Sequence, residues 1–162
     1  MEVTISLIGI DMPEGANIIL GQSHFIKTIE DLYEVMAQQV PHAKFGIAFA
    51  EASAQRLIRA EGNDEELIGK AVEEINKIGA GHSFLIFMKD AYPIAVLNSI
   101  KNVPEVCRIY CATANPLQVI VAESEQGKGI LGVIDGSSPM GIEDDEQIEQ
   151  RYDVLREFGY KV

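Results

Sequence analysis

The chain opens on alternation. Residues 2–10 place Val3, Ile5 and Leu7 at every second position, which predicts a half-buried strand with those side chains inward. "DMPEG" then turns the chain, and "ANIILGQ" reads as the partner strand of a hairpin. The period becomes helical in "KTIEDLYEVMAQQV", where Ile29, Leu32, Val35 and Met36 share a face, Thr28 is placed to cap and Pro41 ends the run. "AKFGIAFAEA" and "RLIRAEG" are both β-like and predict a second hairpin over residues 44–61.

"GNDEELIGKAVEEINKIG" carries the clearest helical pattern. Asn63 is the expected cap, Asp64, Glu65 and Glu66 occupy the first turn, and Leu67, Ile68, Val72 and Ile75 form the apolar stripe. Gly79 supplies the stop. "SFLIFM" does not alternate, so both its faces should be covered and the strand should be central. Pro93 opens a short helix, "PIAVLNSIKN", before Pro104. Strands are expected at 107–112, 117–123 and 129–134, with an acidic helix at 144–157. Roughly seven strands and four helices, mixing hairpins with β–α–β crossovers, predict an α/β (α+β) chain built as one domain over residues 1–162, with a mixed sheet packed by helices.

Composition narrows the partners. The 162 residues are 47% hydrophobic, and 25 acidic side chains against 13 basic ones give a formal net charge of −12. That field repels nucleic acid, and no Lys/Arg cluster offsets it. A small anion remains compatible, because a few local cations and backbone N–H groups outweigh distant surface acids. Cys107 and Cys111 stand four residues apart in a strand, roughly 13 Å between Cα atoms, beyond disulfide reach. Free thiols, no signal-peptide pattern and no apolar run of membrane-spanning length lead to the expectation of a cytoplasmic protein.

The candidate chemistry is sparse. "GKGILG" at 127–132 matches G-x-G-x-x-G, but a strand and not a helix continues after it, so a hairpin turn is the better reading. There is no G-x-x-x-x-G-K-[ST] motif. Asp144/Asp145 and Asp64/Glu65/Glu66 are groupings that Mg²⁺ accepts, yet such runs are far more often solvated helix starts, and no metal site is assigned. His82 lies in "IGAGHSFLIF" between Gly79, Gly81 and the apolar strand. A lone strand histidine is usually structural. The flanking glycines nevertheless leave this imidazole open to a ligand, and a neutral imidazole nitrogen is a competent nucleophile near pH 7. His24 and His42 lack that setting.

"KFGIAFAEAS", "RLIRAEGND", "IGAGHSFLIFMKDAYPIAVLNSIKNVPEV", "CATANPLQVIVAE" and "GKGILGVIDG" together resemble the adenosine-specific kinases, a small archaeal and bacterial family, over nearly the whole chain. The resemblance implies a compact α/β domain assembled as a homotrimer, binding of adenosine, AMP, ADP and ATP, and a histidine that holds a phosphoryl group. By matching segments that histidine is His82. Phosphoryl transfer then needs cations around the equatorial oxygens, and the candidates in matched segments are Lys44, Arg56, Arg59, Lys89 and Lys101. Arg56 and Arg59, three apart on a strand, should point to opposite faces. Gly79 and Gly81 would border the ligand, the helix start at Asn63/Asp64 either caps or cradles a phosphate, and Asn98 and Asn115 could hydrogen-bond adenine or ribose. An accompanying Mg²⁺ is left open. The alternative reading is a non-catalytic adenosine-nucleotide sensor or regulatory trimer. His82 begins its strand, whereas ligands of open α/β sheets sit beyond carboxyl ends; either the strand is antiparallel to its neighbours or another subunit completes the site.

Overall fold

The computed structural model describes residues 2–162. Its strands are β1 (Thr4–Gly9), β2 (Asn17–Ser23), β3 (Lys44–Ala50), β4 (Ile58–Gly62), β5 (Ser83–Lys89), β6 (Val106–Thr113), β7 (Leu117–Glu123) and β8 (Lys128–Asp135). The helices are α1 (Thr28–Gln39), α2 (Glu65–Ile78), α3 (Leu97–Lys101), preceded by a 3₁₀ turn at Pro93–Ala95, and α4 (Asp145–Glu157). The expected single mixed sheet is instead two antiparallel sheets, one ordered β4-β3-β5-β2-β6 and one ordered β1-β7-β8. No β–α–β crossover joins parallel neighbours among the described strands; one parallel bridge, Ala80 to Lys128, lies outside the ladders.

The five-stranded sheet is covered on both faces. Ile29, Leu32 and Met36 of α1 and Ile100 of α3 pack on Phe45, Ile47, Phe49, Phe84 and Ile86. On the other face, Leu67, Ala71, Ile75 and Ile78 of α2 and Leu117, Val119 and Val121 of β7 pack on Ile18, Leu20, Ala48, Leu85 and Phe87. This explains "SFLIFM": β5 sits at the centre with every residue from Ser83 to Met88 buried. It also runs antiparallel to both neighbours, β2 and β3.

The N-terminal strand departs from expectation. β1 does not pair with β2; it pairs with β7, Ile5 opposite Ala122 and Leu7 opposite Ile120. Alternation correctly gives two faces, but Val3, Ile5 and Leu7 are on the exposed one. Ile8 is the residue that packs inward.

Two caps also differ. Thr28 is the first residue of α1 and its hydroxyl donates to the Phe25 carbonyl at 2.6 Å. Asp64, not Asn63, caps α2 by accepting from the Leu67 N–H at 3.1 Å. The Asn63 side chain instead accepts from Phe45 N–H (2.8 Å) and donates to the Ala43 carbonyl (2.9 Å), tying the approach to α2 onto the start of β3. That seat needs Gly46: a Cβ there would collide with the backbone of Leu67 and Ile68. Backbone cannot swing aside as a side chain can, so Gly46→Ala is expected to destabilise the protein by about 3 kcal/mol, measured by urea unfolding.

Candidate functional site

The chain from the end of α2 to the start of β5 is built by backbone geometry. Gly79 takes φ +67°, the left-handed stop that its missing Cβ permits, and its N–H closes the helix onto the Ile75 carbonyl. At Gly81 a Cβ would come within 2.8 Å of the Ala52 Cβ, so the chain passes close to the β3–β4 connection. His82 then adopts φ +63°, a left-handed conformation uncommon outside glycine. Two hydrogen bonds hold it there: its N–H donates to the Ala50 carbonyl at 2.7 Å, and its carbonyl accepts from Ser23 N–H at 2.9 Å. The imidazole is half-buried and stacks on the Phe49 ring, centroids 5.9 Å apart and planes 20° apart.

Gly79 and Gly81 border one cleft, a second is bordered by β4, and His82 lines neither. The larger, about 810 Å³, is bordered by Gly79, Gly81, Asn76, Gln55 and Arg56 on one side and by Ser124 and Gly127–Gly129 on the other. "GKGILG" thus forms a cleft wall as well as a turn: β8 begins at Lys128, whose backbone bridges to Ala80. The smaller cleft, about 600 Å³, lies between Phe25–Glu30 and Ile58–Glu61 and contains Lys27 and Arg59. The two arginines part, but not through strand alternation, because Arg56 sits in the turn before β4 with φ +53°. Arg56 stands before β4, at the larger cleft, and Arg59 on β4, at the smaller.

Their electrostatics differ as well. Arg59 Nε and Nη2 donate to Glu51 Oε1 at 3.1 and 2.9 Å, while Leu57 N–H donates to Glu51 Oε2 at 2.8 Å. The Leu57 N–H first, and then Arg59, hold the Glu51 carboxyl below the usual carboxylate range. Arg59 faces Phe49 across the β3–β4 ladder, so Arg59 and the His82 ring both flank that phenyl ring. Among the described residues Arg56 makes no ion pair, and Lys128 has only Glu123, at 3.7 Å. Arg56 and Lys128 are therefore the cations that border the larger cleft with charge left for a ligand. The negative end of α2 at Gly79 borders the same cleft and suits donors such as hydroxyl or amino groups.

The other sequence candidates lie elsewhere in the protomer. Lys44 and Lys89 are cross-strand partners at the far ends of β3 and β5; seven strand residues separate Lys89 from His82, roughly 23 Å. Lys44 approaches Asp64 at 4.0 Å. Asn98 and Lys101 are on α3 and border neither cleft. Asn115 is a turn residue whose amide donates to Asp135 at 3.1 Å, also at the far end. Sequence reading missed Phe49, Glu51 and Ser23, which position His82 and Arg59. Only the cross-strand register between "FAEAS" and "RLIRAEG" could have signalled the Glu51–Arg59 pair.

Other nucleophiles and metal ligands are accounted for. Burial pushes the Cys111 thiol up to about 12, which removes it as a thiolate near neutrality. Asp11, Glu73 and Glu74 cluster, but two ammonium groups already interleave them: Lys70 bridges Asp11 and Glu73, and Lys77 bridges Glu73 and Glu74. A cation would have to displace one of them.

Two outcomes follow for the turn. Asparagine tolerates the left-handed region and a β-branched residue does not. His82→Val should therefore cost about 1–2 kcal/mol more than His82→Asn in urea unfolding. The depressed Glu51 carboxyl contributes stability above its unfolded value near 4.5, and that contribution is lost as pH falls through the lower folded value. Glu51→Gln should accordingly flatten the loss of stability below pH 4.5, measured as unfolding midpoint against pH.

Comparison with known proteins gives these features a lineage. The chain matches the family model described as adenosine specific kinase over residues 8–161. It is similar to the crystal structure of the PH1918 protein from Pyrococcus horikoshii OT3, with 50% identity, a TM-score of 0.95 and 99% of each chain covered. No curated protein matches. With a family model spanning nearly the whole sequence, the chain belongs to the adenosine-specific kinase family.

Proposed function

We propose that this protein is a phosphotransferase that binds an adenosine nucleotide in the larger cleft and carries the phosphoryl group on His82. The observation behind this reading is the His82 backbone. A histidine held at φ +63° by two hydrogen bonds, directly after Gly81 at the edge of a cleft whose Arg56 has no carboxylate partner, is backbone strain next to a candidate ligand site. The ribose and adenine donors face the carbonyl end of α2 and Asn76. The phosphates run toward Arg56 and Lys128, on the cleft that Gly79 and Gly81 border.

The chemistry balances without a further reactant. A neutral imidazole nitrogen attacks the γ-phosphorus in line, an N–P bond forms, and the bond to the β,γ-bridging oxygen breaks to release ADP. The second ring nitrogen keeps its proton. A hydroxyl of the acceptor then attacks phosphorus, the N–P bond breaks, and the hydroxyl proton passes to the imidazole or to solvent. Arg56 and Lys128 offset charge on the equatorial oxygens throughout. Mg²⁺, where it takes part, comes with the nucleotide phosphates.

Incubation with γ-labelled ATP should place acid-labile, base-stable label on the chain. His82→Asn should abolish it while leaving the fold intact. Arg56→Ala should slow labelling about a hundredfold. Equal labelling of His82→Asn would sink the assignment, and ATP binding that survives His82→Asn without any labelling of wild type would identify a nucleotide sensor instead.

A further inference from the structure

Three buried side-chain oxygens have no hydrogen-bond partner among the described residues: Ser23 Oγ, Glu74 Oε2 and Glu105 Oε2. An unbonded hydroxyl costs less than an unbonded carboxylate oxygen, because an ionised group loses far more hydration on burial. Of the two glutamates, Glu105 keeps 6% of its side chain in contact with solvent, whereas Glu74 keeps none. Glu74 is carried on α2 together with the buried Leu67, Ala71, Ile75 and Ile78. A carboxylate held there is stable only when partners reach both of its oxygens.

Glu74 is not isolated. It forms a cluster with Glu73, its neighbour on α2, and with Asp11 on the β1–β2 connection, one ligand oxygen from each lying within 4.8 Å of the others. Lys70 Nζ reaches Asp11 Oδ2 at 2.7 Å and Glu73 Oε2 at 3.2 Å. Lys77 Nζ reaches Glu73 Oε1 at 3.0 Å and Glu74 Oε1 at 2.6 Å. These contacts serve the two exposed carboxylates and leave Glu74 with one oxygen bare. The lysines are 30% and 40% exposed, and their flexible stems can carry either ammonium into water. Glu74 cannot follow. Charge points the same way: three carboxylates against two ammoniums leave −1, in a chain whose net charge is −12. Lys70 holds the Asp11 carboxyl below the usual carboxylate range, and Lys77 and then Lys70 do the same for Glu73, so an incoming cation has no proton to displace from either.

We propose that Asp11, Glu73 and Glu74 are a binding site for a hard divalent cation, which takes the place of the Lys77 ammonium and engages both oxygens of Glu74. With +2 in place of +1, the three carboxylates, the ion and Lys70 sum to zero. A set of carboxylate oxygens without histidine or cysteine selects ions of the Mg²⁺, Ca²⁺ and Mn²⁺ class over those that seek imidazole or thiolate. Asp11 and Glu73 are exposed, so the ion enters from solvent and keeps waters on its outer side. None of the three carboxylates borders either cleft, which separates this site from the one proposed for the nucleotide. The bound ion ties the β1–β2 connection to the second half of α2, the helix that ends at Gly79.

The full-length protein without nucleotide tests this, with Mn²⁺ alone as the probe, so the outcome is independent of any chemistry at His82. Titration followed by the electron paramagnetic resonance of free Mn²⁺ should show a saturable site, half-filled at about 1 mM or below. Asp11→Asn, a change at an exposed side chain, should weaken it about tenfold or more. Lys77→Met removes the competing ammonium and should tighten it about tenfold. Thermal unfolding supplies the second readout: Lys77→Met should lower the midpoint, because Glu74 loses its partner, and Mn²⁺ should restore it. The proposal fails if wild type shows no saturable site below about 1 mM, if Asp11→Asn binds as tightly as wild type, if Lys77→Met binds no more tightly, or if Mn²⁺ leaves the lowered midpoint where it is.

Discussion

The close seat of α2 on β3 is the constraint on which the rest of the molecule depends. Gly46 lets the helix backbone approach the strand backbone, and Asn63 ties the preceding turn to Phe45 and Ala43. From that seat α2 runs to Gly79 with Leu67, Ala71, Ile75 and Ile78 buried between the two sheets. The position of its last turn decides where Gly81 meets Ala52, and so where His82 is caught between Ala50 and Ser23. The His82 turn is thus placed by a helix start more than a dozen residues earlier, through a rigid element and not through local propensity.

Much of this was readable because it is local. The α2 stripe, the Gly79 stop and the doubly covered β5 all follow from spacing within one segment. What the sequence hid is non-local. Alternation in residues 2–10 fixes two faces without saying which is covered, and the choice depends on β7, more than a hundred residues away. The same holds for the number of sheets: strands alternating with helices suit a parallel sheet, yet every ladder here is antiparallel. Asn63 and Asp64 were both credible caps, and only the neighbouring strand's free N–H and carbonyl decided which was recruited elsewhere.

The candidate site shows the same division. His82 and its glycines stand out in sequence, and the structure puts Gly79 and Gly81 on the same cleft as Arg56. Lys44, Lys89 and Asn115 share segments with equal resemblance to the family, but strand length carries them to the opposite end of the sheet. The strongly acidic surface is no obstacle to an anionic ligand at the turn, because Glu51 is already occupied by Arg59 and a backbone N–H. What the cleft offers is therefore a local balance of charge, set by pairing and not by composition.

The β1–β7 ladder has a consequence for how the chain reaches this state. β1 is made well before β7, the strand that receives it. Closing so wide a loop is slow relative to local hairpins such as β3–β4 and β7–β8. β1 therefore waits, edge unpaired and apolar residues in water, until β7 has emerged, which gives a chaperone a long time to act on it.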